Sequence, residues 1–279
     1  MCEVESMKYH DFLVEEIGNS IEDDSKLPKG YQLIGHVVLL NIDLDLMPLA
    51  EVIGDLTLAF NSRAKSVGVR VGPTYGQKRI PNYRLVAGIK NTTTTHIENG
   101  VEFKLDPLRI TFSQGNVNER IHLPDQVDSE EYVVDMFACV GQFSLPIAVH
   151  SGAEVLAIEV NGLAYEFLCQ NMRTNGVLGN MRAVLGDCRD VSFSNVNRIV
   201  MGYLHDTIDF LPHALRGLHS QGGSIHMHSL VLDNNEEEIR NTIITMASEY
   251  GFTPEISSRL IKKYSPGVYH RVFDIMLVS

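Results

Sequence analysis

The chain lacks a long apolar run. Hydrophobic residues make up 44% of its 279 positions, yet no stretch approaches the length needed to span a bilayer, so a soluble protein with no membrane partner is expected. The first sixteen residues, MCEVESMKYHDFLVEE, are acidic and without the basic and apolar regions of a signal peptide; a cytoplasmic location is expected. Cysteine is scarce. The four present (Cys2, Cys139, Cys169, Cys188) have no paired metal-ligand spacing, which argues against a disulfide framework and against zinc; no metal is expected. No G-x-G-x-x-G stands at a first strand-to-helix turn, which sets a dinucleotide-dependent dehydrogenase far down the order. A surplus of basic charge is absent too, the formal net charge being -12. From Phe60 to Lys90, however, it is Asp and Glu that are missing, while seven basic residues occur: Arg63, Lys65, Arg70, Lys78, Arg79, Arg84 and Lys90. A local basic face, rather than the total, creates a phosphate-attracting field. A solvated basic edge is an equal reading on charge alone.

The most informative stretch is Tyr132–Glu159, YVVDMFACVGQFSLPIAVHSGAEVLAIE. An apolar strand ends in Asp135 and runs into a turn containing Gly141. An apolar helix follows, then a second strand ending in Glu159. Strands buried on both faces read as continuous apolar runs, and ligands bind outside their carboxyl ends. Glycine lets backbone approach a ligand closely, and an acid after the second strand is placed to accept hydrogen bonds from ribose hydroxyls. A nucleoside-bearing cofactor is implied.

Around this unit the chain divides near residue 100. Residues 1–95 read as a small mixed α+β domain, with a helical pattern over 7–18, a strand at Leu33–Leu40, another at Val67–Val71 and a Gly/Pro-rich basic loop at 72–84. Asn99-Gly100 between alternating segments is a hairpin signal. Residues 96–279 form the larger domain. After Glu159, Leu163, Phe167, Leu168 and Met172 mark a helix. Strands are expected near Ala183–Leu185, Arg198–Leu204 and Ser224–Val231, with helices near Phe210–Leu218 and Glu236–Tyr250. Two closing strands, Ser257–Lys263 and Val268–Leu277, complete the pattern. A parallel sheet finished by an antiparallel C-terminal hairpin is the Rossmann-like α/β class that binds S-adenosylmethionine.

Five motifs in one order then carry a resemblance: FSQGNVNER (Phe112–Arg120), DMFACVG (Asp135–Gly141), GDCRD (Gly186–Asp190), RIVMGY (Arg198–Tyr203) and KKYSPGVYH (Lys262–His270). Together they resemble the tRNA guanine-N1-methyltransferase and wybutosine-synthesis transferase family, over about Leu27 to the C-terminus. The closer likeness is to its aminocarboxypropyl-transferring branch. The resemblance implies transfer of the 3-amino-3-carboxypropyl group of S-adenosylmethionine to 4-demethylwyosine, next to the anticodon of tRNA(Phe), with release of methylthioadenosine. All three carbons on the sulfonium are electrophilic, and the one held in line with the nucleophile reacts. Met201-Gly202-Tyr203 stands where the related methyltransferases carry an Asn-Leu-Pro-type sequence. Methyl transfer to N1 of the same guanine, or a silent RNA-binding homologue, are the alternatives. A monomer is expected.

The resemblance also distributes roles. Glu159 is assigned to the ribose, Asp187 and the Cys188 backbone N–H to the adenine, and Ser113 and Arg120 to the methionine arm, where an Arg fork suits a carboxylate. Asp135 and Phe137 belong to the cofactor turn. Tyr203 is a candidate to stack on the base and His205 to guide a proton; Lys262 and Lys263 join residues 60–90 as candidates to grip the tRNA backbone. Each has a plainer reading. Tyr203 is then packing on the sheet, His205 a partly exposed surface histidine, Asp187 a turn aspartate bonding its own backbone, Arg120 a salt bridge to Glu119 or Asp125, Asp135 an orienter of the loop, and Phe137 a core residue. The chain departs from its relatives at Cys139, where glycine is usual and a side chain is expected to weaken cofactor binding, and at Val160-Asn161-Gly162.

Overall fold

The computed structural model describes residues 7–279; Cys2 and the rest of the first six residues lie outside them. The chain divides into two compact units, one holding the residues through Ile97 together with Lys104–Phe112, the other Glu98–Phe103 with Ser113–Ser279.

The first unit contains α1 (Tyr9–Ile17), β1 (Gln32–Ile34), β2 (Val37–Leu40), α2 (Ala50–Phe60), β3 (Ser66–Arg70) and β4 (Tyr83–Gly88). Its four-stranded sheet runs β1-β2-β3-β4, with β2 and β3 parallel and the outer pairs antiparallel. The strand expected over Leu33–Leu40 is in fact two. Gly35 turns the chain back at φ 57°, where an added Cβ would lie 2.0 Å from the Thr94 hydroxyl, so Ile34 pairs with Val37. Val37–Leu40 is wholly buried at the centre of the sheet. α2 falls in a stretch for which the sequence pattern predicts no element. Gly54 lets that helix press on β4, since a Cβ there would meet Ala87 and Val86 at 2.9 Å. Tyr9 of α1 reaches Thr57 of α2 at 2.7 Å, joining both helices over a core that includes Leu13, Val38, Ile53 and Val67.

β5 (Thr94–Glu98) and β6 (Val101–Leu105) form the expected hairpin as a separate two-stranded sheet. Asn99 and Gly100 both take positive φ, 46° and 77°, as a two-residue turn matched to strand twist requires.

The second unit continues with α3 (Val117–His122), β7 (Tyr132–Asp135), α4 (Ser144–His150), β8 (Glu154–Glu159), α5 (Gly162–Thr174), β9 (Met181–Leu185) and β10 (Arg198–Met201). It closes with α6 (Leu211–Gly217), β11 (Gly222–Leu232), α7 (Glu236–Glu249), β12 (Thr253–Ser265) and β13 (Val268–Val278). Seven strands lie in the order β12-β13-β11-β10-β7-β8-β9. The five from β11 to β9 are parallel, and β13 and β12 add on antiparallel. This is the Rossmann-like α/β sheet with a C-terminal hairpin expected from the sequence. The chain leaves β7 first toward β8 and β9, then returns to the other side of β7 as β10 and β11. The order therefore reverses at β7, and the crevice outside its carboxyl end is where such sheets take ligands. β10 (RIVM) is buried throughout, packed with Val134, Ile225 and Phe273.

Candidate active site

The turn after β7 is built around two buried acids. Asp135 is fully buried and accepts hydrogen bonds from the N–H of Phe137 (3.1 Å) and of Ser144 (3.2 Å), so it ties the turn to the start of α4. Burial pushes its pKa up to about 6. Glu159, 8% exposed, accepts from the N–H of Cys139 and of Asn161, both at 2.6 Å. Burial, with the Asp135 charge nearby, pushes it up to about 7 against these bonds. Asn161, a departure noted in the sequence, caps α5 through the N–H groups of Leu163 and Ala164.

Between the acids the backbone is left-handed twice, at Cys139 (φ 52°) and Gly141 (φ 96°). A Cβ at Gly141 would lie 2.5 Å from Leu145, so glycine is required there. At position 139 the same conformation costs a residue with a Cβ on the order of 1 kcal/mol. The half-buried Cys139 thiol is pushed up to about 12, by burial first and then by the Glu159 charge; it is a neutral thiol.

The carboxyl end of β10 carries aromatics. Tyr203 stacks on Phe137 with ring centroids 5.2 Å apart and an interplanar angle of 23°, and Phe210 meets both rings edge-on at 6.0 and 5.0 Å. Both Phe137 and Tyr203 are half-buried, and Phe137 packs with Phe210 against the margin of the hydrophobic core. His205, also half-buried, has its ring 6.3 Å from those of Tyr203 and of Tyr264. Asp187 accepts from the N–H of Arg189 and pairs with its guanidinium at 3.0 and 2.7 Å, the turn-capping arrangement given above as the plainer reading. Arg189 in turn lies 4.7 Å over the Phe210 ring. Cys188 is buried.

Arg120 has a different partner from either expected. At 2% exposure it forms a bidentate pair with Glu98, at 2.6 and 2.8 Å, and donates to the Ser113 carbonyl at 2.8 Å. Glu119 pairs instead with Arg259 at 2.6 and 2.9 Å, and Arg259 also grips Asp274 at 2.6 Å, fastening α3 to the hairpin. Ser113 is held again through its N–H, which donates to Gln142 Oε1 at 3.2 Å, directly after Gly141. Lys262 and Lys263, paired in the sequence reading as RNA contacts, part company: Lys263 is exposed, whereas Lys262 is half-buried and donates to Ser113 Oγ at 3.2 Å.

With this geometry in view, comparison with known proteins decides the family. The model of the TRM5/TYW2 methyltransferase domain matches residues 94–253, and that of the TYW2 N-terminal domain matches residues 11–92. The chain belongs to the TRM5/TYW2 family. Within it, the chain is 39% identical over 256 residues to the tRNA(Phe) (4-demethylwyosine(37)-C(7)) aminocarboxypropyltransferase of Pyrococcus horikoshii, covering 89% of each. The solved structure of P. horikoshii TYW2 in complex with MeSAdo matches with a TM-score of 0.83 at 34% identity, over 96% of this chain and 99% of that one. M. jannaschii TYW2 in complex with AdoMet matches at 0.72 and 32%, over 89% and 99%.

The site fits the nucleoside cofactor of these TRM5/TYW2 relatives. A left-handed backbone turn at the switch point and a buried carboxylate at the next strand end are what a ribose and its neighbouring chain need. Sequence reasoning missed Glu98, Gln142, Phe210 and Arg189 here. Arg189 lies inside the GDCRD motif and Gln142 directly after Gly141, whereas no local pattern marks Glu98 or Phe210. The basic residues of the first unit spread over the loop after α2, the end of β3, the 71–82 loop and β4. Arg63, Lys65, Arg70, Lys78, Arg84 and Lys90 are exposed and Arg79 is half-buried. Among the described residues no helix is long and apolar enough to cross a membrane.

Proposed function

We propose that the chain transfers the 3-amino-3-carboxypropyl group of S-adenosylmethionine to 4-demethylwyosine beside the anticodon of tRNA(Phe), acting as a cytoplasmic monomer. The carrying observation is the likeness to the P. horikoshii aminocarboxypropyltransferase across nearly the whole of both chains. Met201-Gly202-Tyr203 at the end of β10 agrees with it. When bound, S-adenosylmethionine supplies an electrophilic γ-carbon next to a sulfonium leaving group.

The protein's part is placement. Glu159 accepts from the ribose hydroxyls in place of one of its present backbone donors. Asp135 holds the turn from beneath and touches nothing of the ligand. The Cys188 N–H and Asp187 face the adenine, Asp187 sharing its carboxylate with Arg189. Phe137 and Tyr203 offer an aromatic face on which the tricyclic base stacks, with His205 at its margin. Arg120, locked on Glu98, positions Ser113 rather than meeting the cofactor. The exposed residues Arg63, Lys65, Arg70, Lys78, Arg84 and Lys263, with the half-buried Arg79, supply the field for tRNA phosphates.

The deciding experiment uses S-adenosylmethionine labelled separately in its methyl and its carboxyl group, incubated with tRNA carrying 4-demethylwyosine. Carboxyl label in the nucleoside, with methylthioadenosine released, is expected. Methyl label with S-adenosylhomocysteine would make the chain a methyltransferase. No incorporation alongside intact tRNA binding would make it a silent binder.

A further inference from the structure

Among the described residues, the buried and half-buried arginines and lysines of the second unit meet carboxylates, with one exception. Arg120 is held by Glu98, Arg198 by Glu131, and Arg259 by Glu119 and Asp274. Lys262 forms no ion pair with a carboxylate among the described residues. Among the described residues its hydrogen-bond partner is the Ser113 hydroxyl. Burial, and then the charge of Arg120, lowers its pKa. Its neighbour across the hairpin, His270, is wholly buried and is pushed down to about 4 by burial and by Lys262 itself, so it stays neutral and offers the ammonium no counter-charge. A half-buried ammonium beside a second cation is an electrostatic deficit that an anion would correct.

The position of that ammonium is specific. Ser113 is fixed at three points: its carbonyl by Arg120, its N–H by Gln142, and its hydroxyl by Lys262. Gln142 is part of the turn that runs on from Gly141, so the lysine head stands one residue away from the cofactor turn. Gly115 leaves room for the lysine stem; a Cβ there would lie 2.5 Å from Nζ and 2.9 Å from Cδ. The fold thus draws Lys262 inward past a glycine, away from the surface where Lys263 stands.

We propose that Lys262 receives the α-carboxylate of S-adenosylmethionine, with the Ser113 hydroxyl beside it, and so anchors the arm that carries the transferred carbon. The proposal rests on the reading that this site takes S-adenosylmethionine. An ammonium with three donors suits a carboxylate end-on, whereas the Arg120 fork is already closed on Glu98. The anchor has a consequence for turnover. Methylthioadenosine has lost the whole amino-acid arm, so Lys262 holds the substrate and not the spent product.

The test is calorimetric titration of S-adenosylmethionine, S-adenosylhomocysteine and methylthioadenosine into wild type, Lys262→Met, Lys262→Arg and Gly115→Ala. A charge-assisted contact of this kind corresponds to roughly 10- to 100-fold in affinity. Lys262→Met is expected to lose that much for the two ligands that carry a carboxylate, while methylthioadenosine binding stays within about two-fold. Lys262→Arg restores part of the loss. Gly115→Ala, whose backbone is not left-handed, displaces the lysine head without unfolding the chain and weakens the same two ligands. The salt dependence of tRNA binding does not change.

Equal losses for all three ligands would overturn the assignment. So would intact cofactor affinities with a shallower salt dependence of tRNA binding, which would put Lys262 on a phosphate. If the wild type bound none of the three ligands, the reading of the site would fall and the proposal with it. Methyl transfer in the labelling experiment, with the carboxylate-selective loss preserved, would leave Lys262 in place and change only the group transferred.

Discussion

The two units use positive charge in opposite ways. In the first, the basic side chains of residues 60–90 are exposed on loops, at the end of β3 and on β4, and only Arg79 is half-buried. Such charges act as a summed field, tolerant of exact position and screened by salt. In the second unit a set of buried and half-buried cations meets carboxylates: Arg120 with Glu98, Arg198 with Glu131, Arg259 with Glu119 and Asp274. There geometry decides, because an enclosed charge without its partner is costly. The same residue types therefore stand as exposed charge in one unit and give local rigidity in the other, and Lys262 is, among the described residues, the half-buried cation that meets no carboxylate.

The contrast is broken most severely at Arg120. Arg120→Ala leaves the Glu98 carboxylate enclosed and frees the Ser113 carbonyl, and a loss of about 3–5 kcal/mol of stability is expected. Denaturant unfolding measures it; a change below about 1 kcal/mol, as for an exposed pair, would remove the distinction between the units.

Glu159 gives the next effect and a pH signature. Its folded pKa, about 7, lies above the ordinary 4.5, so its favourable contribution is complete below about 4.5 and is lost as pH rises through 7. The full shift corresponds to roughly 3 kcal/mol. The stability of wild type relative to Glu159→Gln should accordingly fall between pH 4.5 and 8, as followed by thermal unfolding across that range. The same substitution should weaken S-adenosylmethionine binding, and unchanged affinity would remove the ribose role.

On the exposed side, replacing Lys78 and Arg79 together by alanine should lower the salt slope of tRNA binding by about 1 to 2, since each lost phosphate contact contributes roughly 0.7–0.9. Fold stability should change little. A steep slope that survives the double variant would put the phosphate contacts elsewhere. The smallest effect is expected at Cys139. Cys139→Gly relieves the left-handed strain and should stabilise the chain by about 1 kcal/mol; a destabilised variant would mean that the thiol's packing outweighs the backbone.

Much of the site was legible in the sequence because it is made of local chemistry. Asp135, Gly141 and Glu159 are each named by their place at a strand end or in a turn, and period and composition locate strands and helices. Where local signals were ambiguous the reading slipped. Leu33–Leu40 looked like one strand because Gly35 alone marks the reversal, and the Gly54 that made α2 hard to see is what lets it pack on Ala87.

The sequence by itself determined the alternation of strands and helices, the Asn99-Gly100 turn, the left-handed demand at Gly141 and the acids that flank it, because these follow from backbone sterics and side-chain period within a few residues. The tertiary structure alone decided which cation meets which anion. Arg120 finds Glu98 across 22 positions, Arg259 finds Glu119 across 140, and Lys262 finds Ser113 across 149. A long flexible side chain reaches whatever the sheet order and strand register bring within a few ångströms, and no local pattern encodes that meeting.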